Sequence, residues 1–290
     1  MKKNILITGG TGFLGSHLIH SFLNNDYDVA VLKRSASDVW RIGDVLEKIK
    51  FYDVDNNGID SAFKEQRIDI VVHTACCYGR GNEKLSDIIN TNVMLGIKLL
   101  ENATFFNTDT FFNTDTFLQK YLNSYSLSKR QFLEWLKQAS DKIQVINMKL
   151  EHMYGPKDDV TKFVPWIIEQ LKQNKSKIDL TEGKQERDFI YVDDVAAAYM
   201  KTLEQLNCLP KYSEFEVGTG NIITVREFVT EIAKQYKTLH PENKTELGFG
   251  SISYREGEMM NISVDIKRLE TIGWKAKYCF QDGINKLLTM

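Results

Sequence analysis

The chain has 290 residues, 42% of them hydrophobic, which is enough to bury the core of one large α/β unit and of a smaller appended lobe. Its 37 basic and 39 acidic side chains nearly cancel, so a formal charge of −2 excludes the global positive field of a nucleic-acid-binding protein. The first predicted strand begins close to Met1 and no run of about 18 apolar residues follows, so we expect a soluble, cytoplasmic protein with no signal peptide or membrane span.

The first half of the chain alternates short apolar runs with stretches of helical periodicity. Predicted strands are residues 5–8, 29–33, 50–54 and 70–74, and predicted helices are 17–24, 60–66 and 87–102. This alternation predicts an α/β fold, a Rossmann-like doubly wound parallel sheet with a smaller C-terminal substrate lobe. Ligands bind such sheets at the carboxyl ends of the strands, so we expect a cofactor cleft there.

A glycine-rich loop joins the first predicted strand to the first predicted helix. Gly9 permits the tight turn, Gly12 lets the backbone approach a pyrophosphate, and Gly15 allows the helix to pack closely on the strand. The spacing is Gly-x-x-Gly-x-x-Gly, which differs from the Gly-x-Gly-x-x-Gly of the dehydrogenase fingerprint. In this strand-to-helix context the loop predicts a dinucleotide site.

Cofactor choice depends on the end of the second predicted strand. An NAD site usually has an acidic residue there, whereas this chain has Lys33 and Arg34, which suit a 2′-phosphate. We therefore expect NADP(H) to be preferred, with NAD(H) possible. The alternative is that the two basic residues form a solvated surface pair.

A six-residue segment occurs twice in tandem, as Thr-Phe-Phe-Asn-Thr-Asp at 104–109 and again at 110–115. So short a unit indicates a local duplication and not a repeat fold. A strand beginning at the first copy would follow the predicted helix 87–102 almost directly, whereas helix-to-strand loops usually need about 2–6 residues. The second copy leaves that room and is the predicted strand.

Beyond Pro156 the alternation weakens. Helices are predicted at 163–173 and near 224–237, with a polar stretch between them at 174–187. We assign residues 1–160 and about 187–215 to a dinucleotide-binding domain, and about 161–186 and 216–290 to a substrate-binding lobe. The four cysteines, at 76, 77, 208 and 279, show no metal or redox spacing, so we expect reduced thiols and no metal site.

Tyr125 and Lys129 are four residues apart on a predicted helix, so they share one face of it. An ammonium beside a phenol lowers the pKa of the phenol and makes it a usable proton donor and acceptor. Such a pair is common on solvated helices when it occurs alone. Together with the glycine loop it predicts an oxidoreductase site.

These residues resemble the short-chain dehydrogenase/reductase superfamily, in particular its extended branch of nucleotide-sugar epimerases, dehydratases and reductases. Further segments carry the resemblance along nearly the whole chain: Asp53-Val54, His73-Thr74-Ala75, Asn92-Val93, Tyr154-Gly155-Pro156, Arg187 to Val195, and Arg255 with Glu258. A narrower resemblance is to the CDP-abequose and CDP-paratose synthase group, which reduces a 4-keto sugar nucleotide with NADPH. It is carried by 75–83, Thr114-Asp115-Thr116, Lys149 to Gly155, and 271–275.

The resemblance implies a role for each matched residue. Tyr125 and Lys129 would be catalytic, with Thr114 holding the substrate carbonyl. Thr108 and Thr116 stay open as alternatives for that threonine. Thr114 could also have only a structural role, with its hydroxyl bonded to its own backbone. The implied cofactor contacts are Gly9, Thr11, Gly12, Phe13, Leu14, Lys33, Arg34, Asp53, Val54, Thr74, Ala75, Asn92, Tyr125 and Lys129. The implied substrate contacts are His152, Arg187, Arg255 and Glu258. Structural roles stay open for two of them: Arg187 as a partner of Asp188 or Glu186, and His152, which stands where many relatives have Asn.

The resemblance also implies a nucleotide-sugar substrate, by its narrower form a CDP-sugar, and a homodimer through the helix of Tyr125 and its neighbour at 87–102. Phe132, Leu133 and Trp135 would add apolar area to that interface. We expect a 4-ketoreductase acting on a nucleotide-activated deoxyhexose. Two alternatives stay open: an epimerase that retains NAD, and a non-catalytic NAD(P)-binding protein. Dehydratases of this branch use an Asp-Glu pair after the threonine, and this chain has Asp115-Thr116.

Overall fold

A computed structural model describes residues 2–290, which divide into two compact units. Unit 1 comprises Met1–Leu150 and Ala196–Glu216, and unit 2 comprises Glu151–Val195 and Val217–Met290. Residues 151–160 and 187–195, assigned from the sequence to the dinucleotide-binding domain, lie in unit 2. The functional assignment of the two units stays a prediction.

A seven-stranded sheet forms the centre of unit 1. Its strands are β1 (Asn4–Thr8), β2 (Asp28–Lys33), β3 (Ile49–Asp53), β4 (Ile70–His73), β5 (Thr110–Thr116), β6 (Gln144–Leu150) and β10 (Tyr212–Val217). Their order is β10-β6-β5-β4-β1-β2-β3, with parallel pairing from β6 through β3. The predicted α/β fold with a parallel sheet is confirmed.

Buried strands explain the uninterrupted apolar runs. Ile5, Leu6 and Ile7 of β1 are all 0% exposed, as expected for a parallel strand covered on both faces. Beside it, Val71, Phe111 and Val145 belong to one core cluster, which also includes Phe132 and Leu136 of the helix that carries Tyr125.

Helices connect the strands of unit 1. They are α1 (Phe13–Asn24), α2 (Val54–Asn57), α3 (Ser61–Glu65), α4 (Leu85–Ile89), α5 (Leu95–Phe105), α6 (Ser124–Ala139) and most of α8 (Val192–Glu204). Trp40–Lys48 and Leu206–Cys208 are 3₁₀ segments, and Asn90–Met94 is a π-helical turn between α4 and α5. The single helix predicted at 87–102 is therefore three segments, because the π turn inserts an extra residue into the ladder.

The two copies of the duplicated hexapeptide adopt different structures. In the first copy, Thr104 and Phe105 end α5, and the chain then turns through Asn107, which has φ 56°. The second copy forms most of β5. The prediction that the second copy provides the strand is confirmed.

Unit 2 contains two small sheets and its own core. Its strands are β7 (His152–Tyr154), β8 (Lys177–Leu180), β9 (Glu186–Tyr191), β11 (Ile222–Thr224) and β12 (Glu246–Phe249), and its helices are α7 (Phe163–Lys172), α9 (Val225–Leu239), α10 (Lys267–Thr271) and α11 (Phe280–Leu288). One sheet has the order β11-β9-β7 and the other pairs β12 with β8. The stacked rings of Phe189 and Phe228, 3.7 Å between centroids, lie within its core cluster. Within residues 2–290 no helix is both long enough and apolar enough to cross a bilayer.

Candidate active site

The glycine loop between β1 and α1 has the geometry of a dinucleotide cradle. Gly9 has φ 68°, and a Cβ there would lie 2.6 Å from Thr74 Oγ1 and 2.7 Å from the Ala75 nitrogen. Gly12 is the N-cap of α1, which carries no side-chain cap and no acidic residue in its first turn. The first N–H groups of a twelve-residue helix are thus free of a competing carboxylate, and they suit a pyrophosphate.

The predicted cofactor residues Thr11, Phe13 and Leu14 lie on this loop and the first turn of α1. Leu14 is only 5% exposed, so its side chain belongs to the core and only its backbone faces the helix terminus. At the end of β4, Thr74 Oγ1 donates a 2.7 Å hydrogen bond to the Thr8 carbonyl. Thr74 and Ala75 are therefore held directly against the glycine loop.

The ends of β2 and β3 bring basic and acidic groups together. Arg34 is exposed, and Lys33 Nζ lies 3.2 Å from the Arg34 carbonyl oxygen, to which it donates. The Ser35 hydroxyl donates to Asp53 at 2.6 Å, and this hydrogen bond lowers the pKa of Asp53. Asp53 also caps α2, which begins at Val54. The carboxylate predicted to contact cofactor is thus already fixed by hydrogen bonds at the edge of the cleft.

Arg41 is a basic residue of this region that the sequence analysis missed. It lies on the 3₁₀ segment Trp40–Lys48, and its Nη1 donates to the Thr11 carbonyl across 3.4 Å. A guanidinium beside the glycine loop is well placed for an anionic group. No sequence signal marked it, because the contact joins residues 30 positions apart.

Asn92, predicted to contact the cofactor, is 0% exposed and holds the segment that follows β4. Its side chain accepts from the Cys77 N–H at 2.7 Å and donates to the Cys77 carbonyl at 2.8 Å. It also donates to Ser128 Oγ on α6, which in turn donates to the Tyr125 carbonyl at 2.8 Å. These bonds tie the Cys77 backbone to the turn of α6 that carries Tyr125.

Tyr125 and Lys129 lie on the first two turns of α6. The helix begins after Asn123, whose side chain accepts from the Ser126 N–H and caps it. Tyr125 is half-buried, whereas Lys129 is 2% exposed, and burial lowers the pKa of its ammonium. The helix therefore presents the predicted pair on one face, as its spacing requires.

The direction of the Tyr125 pKa shift differs from the expectation. Burial raises the pKa of Tyr125, and Cys76 and Asp115 act in the same direction. The nearby Thr116 hydroxyl and the charge of Arg80 oppose them. The expected net lowering is wrong, because withdrawing the phenol from water has the larger effect.

The threonine beside the phenol also differs from the favoured candidate. Thr114 Oγ1 shares a 2.7 Å hydrogen bond with the Tyr199 hydroxyl on α8, so its hydroxyl is already engaged. Thr116 is the threonine that interacts with the Tyr125 side chain. Thr108 precedes β5 and is separated from Tyr125 by the full length of that strand. We infer that Thr116, an open alternative, is the hydroxyl beside Tyr125; it accepts from the Leu118 N–H at 3.3 Å, and its own O–H can still donate. The choice among the three threonines stays a prediction.

Asp115 points into a buried polar network. Its carboxylate is 0% exposed, accepts from Arg130 Nη1 at 3.2 Å, and accepts from Asn147 Nδ2 at 3.1 Å. Asn147 also donates to Glu214, and the Asn113 amide donates to Asn147. A carboxyl group held in this way is fixed in position as a hydrogen-bond acceptor.

The four predicted substrate residues lie in unit 2. Arg187 is 8% exposed and forms an ion pair with Glu258, and its Nη1 donates to the carbonyls of Glu186 and Met259. Arg187 and Glu258 are therefore brought together as each other's partners. Arg255 is exposed in the turn before Glu258, and His152 packs its ring on Phe189 at 5.8 Å. The Glu258 N–H donates to the Arg255 carbonyl at 3.1 Å, so the backbone of Arg255 lies beside the ion pair.

Comparison with known proteins agrees with this geometry. The model of the NAD dependent epimerase/dehydratase family matches residues 5–218. CDP-abequose synthase of Salmonella muenchen is 35% identical over 299 residues, covering 100% of this chain and 98% of that protein.

Solved structures agree at the level of the fold. UDP-glucose 4-epimerase of Thermotoga maritima, solved with UDP-glucose, superposes with a TM-score of 0.82 at 21% identity, covering 99% of this chain and 97% of that one. UDP-glucuronic acid 4-epimerase of Bacillus cereus, solved with UDP-glucuronic acid and NAD, gives 0.83 at 20% identity, covering 99% and 98%. The family model over residues 5–218 and the 35% identity to CDP-abequose synthase over the full chain show that this chain belongs to the NAD dependent epimerase/dehydratase family.

Proposed function

We propose that this protein is a nucleotide-sugar-modifying enzyme that reduces the 4-keto group of a nucleotide-activated deoxyhexose, with NADPH preferred over NADH. The similarity to CDP-abequose synthase over the full chain supports a CDP-sugar substrate. The observation that carries the proposal is the joint presence, in unit 1, of the Gly9–Gly15 cradle and the Tyr125/Lys129 pair on α6.

Tyr125, Thr116 and Lys129 would each have a distinct role in the reduction. When bound, the nicotinamide cofactor supplies the hydride. Tyr125 donates its phenolic proton to the oxygen of the ketone as negative charge develops there, and Thr116 hydrogen-bonds the same oxygen. The buried Lys129 holds positive charge beside the site and stabilises the phenolate that remains. Solvent then returns the proton to Tyr125.

Backbone N–H groups and basic side chains would bind the cofactor. The N–H groups at the start of α1 would bind the pyrophosphate, and Gly12 leaves room for its approach. Lys33, Arg34 and Arg41 would attract a 2′-phosphate, since guanidinium groups bind phosphate oxygens as two-pronged donors. Asp53, which is already bonded to Ser35, would border the adenosine side.

The Asp115 network argues against dehydration. A dehydratase needs a carboxyl group that can transfer a proton, whereas both oxygens of Asp115 accept hydrogen bonds and its carboxylate is 0% exposed. Thr116 follows it in place of the second acid. The local chemistry therefore supports hydride and proton transfer at a carbonyl.

The test is to supply a CDP-4-keto-6-deoxyhexose with NADPH and follow absorbance and product together. We expect one NADPH oxidised for each sugar reduced, and no reaction in Tyr125→Phe. Interconversion of two sugars with no net loss of cofactor would instead identify an epimerase. Cofactor binding with no turnover of any sugar nucleotide would contradict an enzymatic role.

A further inference from the structure

Tyr78 and Arg80, which no part of the proposed mechanism uses, form a stack on the phenol of Tyr125. The ring centroids of Tyr78 and Tyr125 are 5.0 Å apart at an interplanar angle of 36°. The Arg80 guanidinium carbon lies 5.3 Å from the centre of the Tyr78 ring. A cation, an aromatic ring and the proposed proton donor are thus arranged in sequence.

The backbone that presents these two side chains is fixed on both sides. Before Tyr78, the N–H and carbonyl of Cys77 are both bonded to Asn92. After it, Gly79 has φ 64°, and a Cβ there would lie 2.6 Å from Ile88 Cδ1 on α4. Glycine adopts this left-handed conformation with the least strain. These contacts fix the backbone on either side of Tyr78.

Arg80 differs from Arg187, one of the arginines predicted to contact the substrate. Arg187 is ion-paired with Glu258, whereas among residues 2–290 Arg80 has no carboxylate within ion-pair distance. An exposed cation with no acidic partner can act on the nearest groups that develop negative charge. The charge of Arg80 acts on the phenols of both Tyr78 and Tyr125.

We propose that Tyr78 and Arg80 are positioning residues of Tyr125: the Tyr78 ring holds the phenol in its orientation, and the Arg80 charge stabilises the phenolate left by proton donation. This inference rests on the proposed function. In that step a C–H bond forms at the carbonyl carbon with hydride supplied by the cofactor, and the C=O π bond breaks. The O–H bond of Tyr125 breaks, an O–H bond forms on the former carbonyl oxygen, and the negative charge stays on the Tyr125 phenolate, on which Arg80 acts.

Other charged and titratable groups also face Tyr125. Cys76 and Tyr78 come from the segment after β4, Asp115 from β5, and Lys129 from α6 itself. Burial and then the charge of Cys76 raise the pKa of Tyr125, whereas for Tyr78 the charge of Cys76 raises the pKa most and burial adds to it; the charge of Arg80 opposes both shifts. Removing Arg80 should therefore raise the phenol pKa further.

The experiment compares Arg80→Gln with Arg80→Lys and with Arg67→Gln. Arg67 pairs with Asp69 and Asp109 on the surface of the same unit, so its variant is the control for loss of one positive charge. The Tyr125 phenol is titrated by ultraviolet absorbance, as the difference between each variant and the same variant carrying Tyr125→Phe. We expect Arg80→Gln to raise the midpoint by roughly 0.3 to 1 pH unit. Arg80→Lys and Arg67→Gln should leave it nearly unchanged.

The same shift should appear in catalysis. Reduction requires the protonated phenol, so activity falls as pH rises through its pKa, and in Arg80→Gln this alkaline limb should move to higher pH. Tyr78→Ala should lower kcat about 3- to 10-fold, from loss of the ring contact, and Tyr78→Phe should restore most of it.

An unchanged midpoint in Arg80→Gln, or a Tyr78→Ala variant with wild-type kcat, would overturn the proposal. Because the absorbance titration needs no substrate, it decides the role of Arg80 even if the protein reduces no sugar. Failure of the proposed function would appear separately, as a wild-type protein without NADPH turnover.

Discussion

The hydroxyls of Thr114 and Tyr199 share a 2.7 Å hydrogen bond that joins β5 to α8. Tyr199 is 0% exposed, so its hydroxyl is shielded from water and relies on the Thr114 hydroxyl as its hydrogen-bond partner. Thr116, two residues further along the strand, interacts with Tyr125. One of these threonines should therefore affect stability and the other catalysis.

Replacing Thr116 by Val should lower kcat by about 10²- to 10³-fold with little change in NADPH binding, because it removes one hydrogen-bond donor to the developing oxyanion. Tyr125→Phe should be at least as damaging, since it removes the proton donor. Thr114→Val should leave most of kcat but reduce the free energy of unfolding by about 1–3 kcal/mol, because the buried Tyr199 loses its partner. Steady-state kinetics and urea unfolding measure the two effects.

Thr108→Val is the matched control for this pair. The Thr108 hydroxyl is buried and has no hydrogen-bond partner among residues 2–290. Removing it should therefore lower neither kcat nor the free energy of unfolding. If Thr114→Val abolished turnover and Thr116→Val did not, the original assignment of Thr114 would be correct. Loss of activity in Thr108→Val alone would place the functional strand at the first copy.

A second prediction concerns cofactor choice. The double variant Lys33→Ala/Arg34→Ala should bind NADPH about 10- to 100-fold more weakly, since charge-assisted hydrogen bonds to the 2′-phosphate are lost, and should bind NADH almost as before. Arg41→Ala should act in the same direction. Fluorescence titration of both cofactors provides the dissociation constants, with Arg67→Gln as the control for charge. Equal affinity of the wild type for NADPH and NADH contradicts the preference.

A third prediction concerns pH and stability. Burial lowers the pKa of His73 to about 3, and the nearby charge of Lys129 adds to this shift. The unfolded chain therefore binds a proton that the folded chain does not, so stability is complete above about pH 6.5 and is lost as pH falls toward 3. Between pH 7 and pH 5 this one group should remove about 2 kcal/mol from the free energy of unfolding.

The measurement is urea unfolding of the wild type and of His73→Asn at both pH values. Asn can still hydrogen-bond Thr8, which lies 2.7 Å from His73 Nδ1, but it carries no titratable group. The wild type should lose about 2 kcal/mol more than the variant between the two pH values. Parallel losses would show that His73 does not govern the acid sensitivity.

A fourth prediction concerns assembly. Phe132 and Leu133, expected to widen a dimer interface, are 0% and 2% exposed and belong to the core, whereas Trp135 is 52% exposed on α6. Met94, on the π turn beside α5, is 40% exposed. We expect a homodimer in light scattering at micromolar concentration, and expect Trp135→Glu to shift it toward monomer, because a charge is costly in an apolar interface. Leu46→Glu, on the 3₁₀ segment, is the control and should stay dimeric.

The sequence predicted the parts of the fold that repeat simple patterns. Apolar runs such as Ile5 to Ile7 identified buried strands, and the glycine loop identified the first turn, since both signals are local. The spacing of Tyr125 and Lys129 identified one helix face for the same reason. The predicted boundaries were less exact. The strand predicted at 50–54 ends at Asp53 in the structure, and Val54 is the first residue of α2.

Contacts between distant residues were not predictable in this way. The Thr114 hydroxyl meets a tyrosine 85 positions away, and Arg187 meets Glu258, 71 positions away. No local pattern encodes such pairs, and a side chain chosen by motif resemblance can be engaged elsewhere. The net shift of the Tyr125 pKa was missed for a related reason, because it depends on burial by the whole fold.

The duplicated hexapeptide has a consequence for how β5 finds its place in the sheet. Six is an even number, and strand side chains alternate with a period of two. A strand started one copy early would therefore present the same residues to the same faces, so the pleat cannot distinguish the two registers. The length of chain after α5 and the positive φ of Asn107 make that distinction. The specificity of this strand thus resides in the connection before it and not in its own side chains.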